Sequence, residues 1–188
     1  PWICNDWRSN AVARMVWLNG GSQLAADEGT AMAISVTHIS AAAASLTWAA
    51  WEKFKFGKAS LVGMATGTIA GLASITPAAG SVDPFQSLLI GATDGVLCEE
   101  AVSIVRNILN TDDTLDVFAV HGIGGIFGSL MIAVFGYTSF AIQLSGLAIV
   151  GSFTIIVTYV LIKLVSLITP LRVDEETETN GLDLSVHG

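Results

Sequence analysis

The chain has 188 residues, of which 52% are hydrophobic and 13% are charged, and its formal net charge is −8. A soluble domain carries about 25% charged residues, so this composition argues against a soluble fold and favours a bundle of membrane helices. Much of the negative charge lies at the end of the chain and indicates neither a substrate nor a nucleic-acid partner, and the two cysteines lack metal-ligand spacing.

Five runs of the chain are apolar and long enough to cross a bilayer, which takes about 20 residues in a helix. They cover residues 29–51, 59–82, 84–106, 117–137 and about 141–163. The sequence therefore predicts an all-α polytopic membrane protein, with a membrane domain of five to six helices over residues 16–170. Residues 1–15 are polar and aromatic and stay unassigned, and residues 171–188 form a polar tail.

The positively charged residues around these spans fall in alternate loops. No Lys or Arg occurs in the loop around Asp83 or in the loop 137–140. Because cytoplasmic loops of membrane proteins are enriched in Lys and Arg, the pattern predicts a multi-pass integral membrane protein whose C-terminal tail lies in the cytoplasm. The cations on the predicted cytoplasmic side are Lys53, Lys55, Lys58, Arg106, Lys163 and Arg172.

The second and third spans contain small and acidic residues. Gly67 and Gly71 lie four positions apart, which allows two membrane helices to approach closely. Asp94 lies inside the third span, and Glu99 and Glu100 follow it. An acid within a bilayer must face protein or be protonated. The sequence predicts no further role for these three acids.

The fourth span carries His121 in a run, residues 117–162, that contains no Lys, Arg, Asp or Glu. An ionisable residue inside a membrane helix is a functional candidate by default. On the residues alone, a pore histidine and a buried histidine satisfied by a neighbouring helix fit equally well. A carboxylate cluster of Asp112, Asp113 and Asp116 precedes the span. Asp116 is predicted to cap the helix, because a carboxylate there accepts from free backbone N–H groups.

Four glycines follow His121 in the fourth span. Gly124 and Gly128 lie on one helix face with Gly125 beside them, and Gly122 is next to the histidine. We expect them to let helices approach and to leave room for a pore. The pattern does not indicate a dinucleotide-binding loop, because no soluble strand precedes it.

Three ordered blocks of the chain resemble one known family. The segment LDVFAVHGIGGIFGSL, residues 115–130, resembles the tenth transmembrane helix of the ammonium transporter (Amt/Mep/Rh) superfamily, in its Amt branch. The segment GKASLVGMATGTIAGLASITPAAGSVDP, residues 57–84, resembles a second block, and LRVDEETETNGLDLSVHG, residues 171–188, resembles the family's cytoplasmic tail. The resemblance covers the chain from about residue 19 onward. It implies the C-terminal half of that fold: the second five-helix repeat and the eleventh helix.

The resemblance implies transport of ammonium, with no enzyme activity, cofactor or metal. In the family, two histidines from the fifth and tenth helices lie side by side in a narrow apolar pore, and His121 matches the second of them. Val117 matches an apolar pore residue, and we expect Phe118 and Val120 to line or back the pore with it. NH4+ would be recruited and deprotonated and NH3 conducted, because a bare cation in hydrocarbon carries a penalty of order tens of kcal/mol.

Two further residues are secondary pore candidates. Trp17 lies in a segment, residues 16–33, that resembles the end of the family's sixth helix; the family has Trp four positions before Asn, where this chain has Met15. An interfacial aromatic anchor is therefore an equal alternative for Trp17. His38 lies within the first span, where the family has Gln or an apolar residue. The family's first pore histidine belongs to a different helix.

The resemblance also implies partners: ammonium or ammonia, the lipid bilayer, further copies in a homotrimer, and a PII-type signalling protein at the tail. The alternative for the tail is a disordered acidic segment. We expect either that the chain is a fragment or that a separate first-half polypeptide supplies the first histidine. Two other functions stay open, a non-conducting structural subunit of a membrane complex and an ammonium sensor. The tail matches the family through Gly181, Leu182, Asp183 and His187.

Overall fold

The computed structural model describes residues 2–109, 113 and 115–181, and the regular structure of those residues is entirely helical. The predicted all-α class is confirmed. Two helices, Glu28–Phe56 and Phe140–Ser166, are long and apolar enough to cross a membrane. The elements are α1 (Trp2–Gly21), α2 (Glu28–Phe56), α3 (Leu61–Ile75), α4 (Pro84–Asn107), a π-helical turn π1 (Phe118–Ile123), α5 (Gly124–Val134), α6 (Phe140–Ser166) and α7 (Glu175–Asn180).

Each predicted span contains an observed helix. The second span was predicted over residues 59–82 with a helix break at Pro77, and α3 ends just before that proline, at Ile75, with turns after it. Pro77 has no backbone N–H and its ring excludes a continued helix, which explains the early end. At the other end of the chain, α1 runs through residue 15 without a break. No Gly or Pro interrupts residues 2–19, so nothing in the sequence stops the helix there.

Helices α2 and α4 begin at side-chain caps. Asp27 accepts a hydrogen bond from the backbone N–H of Thr30 at 3.1 Å. Asp83 and Gln86 form a capping box, in which the side chain of each accepts from the backbone N–H of the other, at 2.8 and 3.1 Å. These bonds satisfy N–H groups that have no partner in the first turn of a helix. Both helices therefore start at residues that the local sequence defines.

Helix α2 packs between α3 and α4 through bare glycine backbone. Two glycine pairs of the same spacing flank Ser40 and Ala44, which lie one turn apart on α2. A Cβ at any of the four glycines would meet the backbone carbonyl of Ser40 or Ala44. Such close approach is the usual consequence of small residues four positions apart in membrane helices. The pairs are Gly67 and Gly71 on α3 and Gly91 and Gly95 on α4.

Buried polar side chains link these helices by hydrogen bonds. Asn19 of α1 is 4% exposed, and its Nδ2 donates to Thr37 Oγ1 of α2 at 3.0 Å. Ser87 of α4 donates to the carbonyl oxygen of Val36 on α2 at 2.5 Å. Each bond satisfies a polar group that would otherwise be buried without a partner. The bonds therefore hold α1 and α4 at defined positions along α2.

The charged residues where α2 ends form an ion-pair cluster with α4. Lys55 Nζ lies 3.0 Å from Glu99 Oε2 and 3.0 Å from Glu100 Oε1. Trp51 Nε1 donates to Glu100 Oε1 at 2.6 Å. Glu99 is only 6% exposed, so its negative charge depends on Lys55. Glu99 and Glu100 are thus partners of a cation on the neighbouring helix, a role that the sequence did not reveal.

The chain divides into two compact units, residues 1–144 and 145–188. The first unit contains the helix bundle around α2. The second contains most of α6, an apolar helix with no buried residue, and α7. A helix that is apolar on all sides is suited to lipid or to another membrane chain. One core cluster of the first unit consists of Ala33, Val36, Ile75, Ala78, Ala79, Val82 and Ile90.

Candidate functional site

His121 lies on π1, the single π-helical turn that leads into α5. Where π1 joins α5, the backbone N–H of Gly124 is shared between the carbonyl oxygens of Val120 and His121. Such turns are rare and frequently occur at functional sites, because the additional residue changes the direction of nearby side chains. The candidate histidine is therefore on an unusual piece of backbone that the glycine pattern did not predict.

The start of π1 corrects the prediction that Asp116 caps this helix. The carboxylate of Asp113 instead accepts hydrogen bonds from the N–H groups of residues 117 and 118, at 2.8 and 2.9 Å. Asp116 has a left-handed backbone with φ 56°, and its side chain forms two 2.7 Å hydrogen bonds with Arg106. Burial raises the pKa of the Asp116 carboxyl, and the Arg106 guanidinium opposes that change. Asp112 lies outside the described residues.

Three of the predicted pore residues are exposed on this turn. Val117 is 53% and Phe118 is 58% exposed, and His121 is exposed as well. Within the part of the chain that the structure describes, the His121 ring forms no hydrogen bond. Those residues also include no group of three His, Cys, Asp or Glu side chains placed to hold a metal ion. The ring thus presents a free donor and a free acceptor beside apolar side chains.

Val120 lies on the inner side of the turn. It is 2% exposed and packs with Trp48, Ala70 and Cys98 in one apolar cluster. The side chain of Val120 therefore points into the bundle, and a role for it in lining or backing a pore stays a prediction. Its contact anchors π1 to the core of the first unit.

The glycines after His121 differ in their surroundings. Gly128 is buried, and a Cβ there would overlap the backbone of Ser74 on α3. A Cβ at Gly122 would lie 3.0 Å from the ring of Phe118, whereas a Cβ at Gly125 would have nothing within 4 Å. Gly128 therefore has the expected packing role, whereas the position where a side chain of Gly125 would lie is open space.

Behind the turn lie two buried polar side chains of α4, Asp94 and Cys98, each 0% exposed. Cys98 Sγ is 3.4 Å from Asp94 Oδ1 and 3.9 Å from the carbonyl oxygen of Val120. Gly124 faces both side chains without a side chain of its own. The expectation that Asp94 faces protein is correct. Sequence reasoning missed its link to π1, although the spacing of four residues between Asp94 and Cys98 indicated a shared helix face.

Trp17 and His38 lie on other elements than His121. Trp17 is 79% exposed on α1, which packs against α2 and α3. His38 is exposed on α2, beside Leu46 and Thr68. The turn π1 packs against α3, α4 and α5. The described structure therefore brings together His121, Val117 and Phe118, and it leaves Trp17 and His38 elsewhere in the bundle.

The tail contains the short helix α7 and one ion pair. The Asp174 carboxylate accepts from the N–H of Thr177 at 3.2 Å, and hydrogen bonding by Thr177 lowers the pKa of Asp174. Arg172 binds Glu178 through two hydrogen bonds of 2.7 and 3.0 Å and lowers the pKa of that carboxyl. The matching tail residues Leu182, Asp183 and His187 lie outside the described residues.

Comparison with known sequences connects this arrangement to one family. The profile of the Ammonium Transporter Family matches residues 15–188. The chain is 40% identical to a putative ammonium transporter of Methanothermobacter thermautotrophicus over 186 residues, which are 90% of this chain and 46% of that protein. It is 39% identical to an ammonium transporter of Bacillus subtilis, with the same coverage. The chain spans about half the length of the curated relatives it matches.

Solved structures show the same likeness in three dimensions. A structure described as a sensor Amt protein superposes with a TM-score of 0.86 at 26% identity, over 93% of this chain and 46% of that one. Candida albicans Mep2 superposes with a TM-score of 0.75 at 30% identity, over 86% of this chain and 40% of that one. Members of this family are integral membrane transporters and channels rather than enzymes. The chain belongs to the ammonium transporter family.

Proposed function

We propose that this chain is one half of an ammonium transporter, in which NH4+ loses a proton and NH3 crosses an apolar pore beside His121. The observation that carries the proposal is the exposed His121 ring, which has no hydrogen-bond partner in the described chain. The exposed apolar side chains of Val117 and Phe118 lie on the same short segment. A titratable ring in apolar membrane surroundings is unfavourable unless another segment or a substrate meets it.

The chemistry of the ring suits passage of a neutral molecule. Moving bare NH4+ into hydrocarbon is unfavourable by the order of tens of kcal/mol, whereas NH3 carries a far smaller penalty. Histidine has a side-chain pKa near neutrality in water, and each of its ring nitrogens can donate or accept a hydrogen bond. Val117 and Phe118 would exclude water from the path. A second histidine would complete a pair whose ring nitrogens form hydrogen bonds with NH3 as it moves along the pore.

The remaining parts of the pathway would come from the first half of the transporter. The chain covers less than half of its relatives' length, which supports a missing repeat that carries the second histidine and the external vestibule. That repeat, in the same polypeptide or a separate one, would pack on the exposed side of π1. We further propose that three complete transporters assemble as a homotrimer in the bilayer.

We also propose that the membrane domain, residues 16–170, is followed by a cytoplasmic tail, residues 171–188. The alternating cations support this orientation. The tail would bind a PII-type signalling protein, and its cap and ion pair support a tail that is partly preorganised. Trp17 would act as an interfacial anchor, because it is exposed on a helix that does not carry His121.

The test is uptake of ammonium or methylammonium by transporter-deficient cells. The cells express this chain alone, or together with a polypeptide that supplies the first five helices of an ammonium transporter. Each form is made with His121→Ala and, as a matched control, with His38→Ala. His38 is also an exposed histidine of an apolar helix, but it lies on α2. Membrane insertion is measured for every form.

We expect uptake only with the first half present, a strong change on His121→Ala and little change on His38→Ala. Equal effects of the two substitutions would contradict a pore role for His121. No uptake by any correctly inserted form would reject transport by this chain. Binding of ammonium without uptake would then indicate a sensor, and no binding would indicate a structural subunit.

A further inference from the structure

Two buried side chains of α4, Asp94 and Cys98, connect that helix to the turn that carries His121. The Cys98 thiol lies 3.4 Å from Asp94 Oδ1. The same sulfur lies 3.9 Å from the carbonyl oxygen of Val120, the residue before His121. The thiol has one proton and two acceptors, so replacing either side chain of α4 changes the contact with the turn.

The contact between Cys98 and Val120 involves the backbone of π1, where the hydrogen bonding is irregular. The N–H of Gly124 is shared between the carbonyl oxygens of Val120 and His121, whereas each carbonyl within a regular α-helix receives its own donor. The Val120 carbonyl oxygen has two lone pairs and receives only a share of the Gly124 N–H, so it can accept from a second donor, and the Cys98 thiol lies within reach of it. A Cβ at Gly124 would lie 3.4 Å from Asp94 Oδ1 and Cys98 Sγ, which is ordinary van der Waals contact. The two side chains of α4 therefore face the turn at the position of Gly124.

The carboxyl group of Asp94 is incompletely hydrogen-bonded. Its buried Oδ2 atom makes no hydrogen bond of good geometry with the residues that the structure describes, although the Ser74 side chain of α3 lies close enough to interact with the carboxyl group. A buried polar atom without a partner destabilises a protein, and in a membrane core this effect is not relieved by water. Exceptions to the rule that buried polar atoms are hydrogen-bonded are expected at positions where function requires them.

We propose that Asp94 and Cys98 are positioning residues, which hold the π-helical turn in place and so set the direction of the His121 ring. The single thiol proton of Cys98 is shared by Asp94 Oδ1 and the Val120 carbonyl oxygen, so the Asp94 side chain fixes the thiol in the position where it contacts the turn. The consequence for transport rests on the proposed function of His121, but the geometric claim does not. A displacement of about 1 Å lowers the rate of a process that depends on aligned groups.

The direct test is 15N NMR of the purified chain, labelled at its three histidines, in lipid nanodiscs. The His121→Ala variant assigns the His121 signals. In Asp94→Ala and in Cys98→Ala we expect the His121 ring signals to move or broaden while the His38 signals stay. Asp94→Asn keeps an acceptor and Cys98→Ser keeps a donor, so both should restore most of the original signals.

Ser87→Ala is the matched control for the loss of a buried polar group. It removes a different hydrogen bond of α4, from Ser87 to the carbonyl oxygen of Val36. We expect the His121 signals of this variant to be unchanged. Cys98→Ala removes only one sulfur atom from the core. If Asp94→Ala does not fold, the His121 signals of Cys98→Ala alone test the positioning role.

The second readout is uptake by the complete transporter, normalised to inserted protein. We expect a roughly tenfold or greater fall in maximal rate for the two alanine variants, with rescue by Asp94→Asn and Cys98→Ser. Unchanged His121 signals in the alanine variants would overturn the inference whatever uptake shows. If the signals change but no form transports ammonium, the proposed function fails and the positioning role stands.

Discussion

Gly128 of α5 lies directly against the backbone carbonyl of Ser74 on α3, and a Cβ built at Gly128 would overlap that carbonyl. Ser74 is 0% exposed, so neither side of the contact has space to move into. The helix that follows His121 therefore approaches α3 as closely as two backbones allow. The contact fixes the separation of α5 and α3 just after the turn that carries His121.

Gly128→Ala should destabilise the chain by about 1–3 kcal/mol, because the added methyl group must separate α5 from α3. Gly125→Ala is the matched control on the same helix, since its methyl group would have nothing within 4 Å. We expect that control to be neutral or slightly more stable, by about 0.5–1 kcal/mol, through helix propensity. Reversible unfolding in mixed micelles measures both, and equal stabilities would contradict the tight contact.

Asp113→Ala should lower stability more than Asp116→Ala. The first change leaves two N–H groups at the start of the helix without an acceptor, which typically costs about 0.5–2 kcal/mol. The second removes an ion pair in which the Asp116 side chain is 14% and the Arg106 side chain 49% exposed; because water can solvate the remaining Arg106, we expect a smaller loss of about 0–1 kcal/mol. Unfolding of the two variants under the same conditions gives the order, and the reverse order would contradict the prediction that the Asp113 cap contributes more than the ion pair.

Lys55→Met should lower the free energy of unfolding more when it is made alone than when it is combined with Glu99→Gln. The single change leaves the Glu99 carboxylate, which is 6% exposed, without its cation. The double change removes both charges, so we expect a coupling of about 0.5–3 kcal/mol in a double-mutant cycle. Lys53→Met, two residues earlier and exposed, is the control and should have little effect. Additive effects of the two changes would mean that the pair is not coupled.

The Glu178 carboxyl should titrate below the usual range for glutamate, because Arg172 stabilises its charged form. Its folded pKa is lower than its unfolded pKa. The pair therefore stabilises the tail above the unfolded pKa and loses this effect as the pH falls through the folded pKa. Carbon-13 NMR of the whole chain follows the titration. In Arg172→Gln the pKa should return toward its ordinary value, and no change would exclude the pair.

The membrane spans were predictable because they depend on local composition. A run of about 20 apolar residues is a property of the sequence alone, and so are the Asp83 and Gln86 cap and the proline that ends α3. The spacing of Gly67 and Gly71 indicated a close approach. The matching pair on α4, Gly91 and Gly95, was not recognised, because spacing does not reveal which helix a glycine faces.

The surroundings of His121 were predictable only in part. The sequence placed an ionisable ring in an apolar run, and the structure leaves that ring exposed. It was not predictable that Asp113, and not Asp116, caps the helix, because this arrangement depends on the left-handed backbone of Asp116. The π-helical turn was not predicted either. Its residues are compatible with an ordinary α-helix, and we infer that packing against α3 and α4 selects the π-helical form.

The sequence by itself determined the helical class, the positions of the apolar runs, the family and the choice of His121 as the candidate residue. These features depend on residues close together in the chain or on ordered blocks of sequence. Tertiary structure alone decided that Asp94 and Cys98 lie behind His121, that Glu99 and Lys55 form an ion pair, and that Val120 faces inward. Such contacts join residues far apart in the chain, and they depend on helix distances that bare glycine backbones set to within a fraction of an ångström.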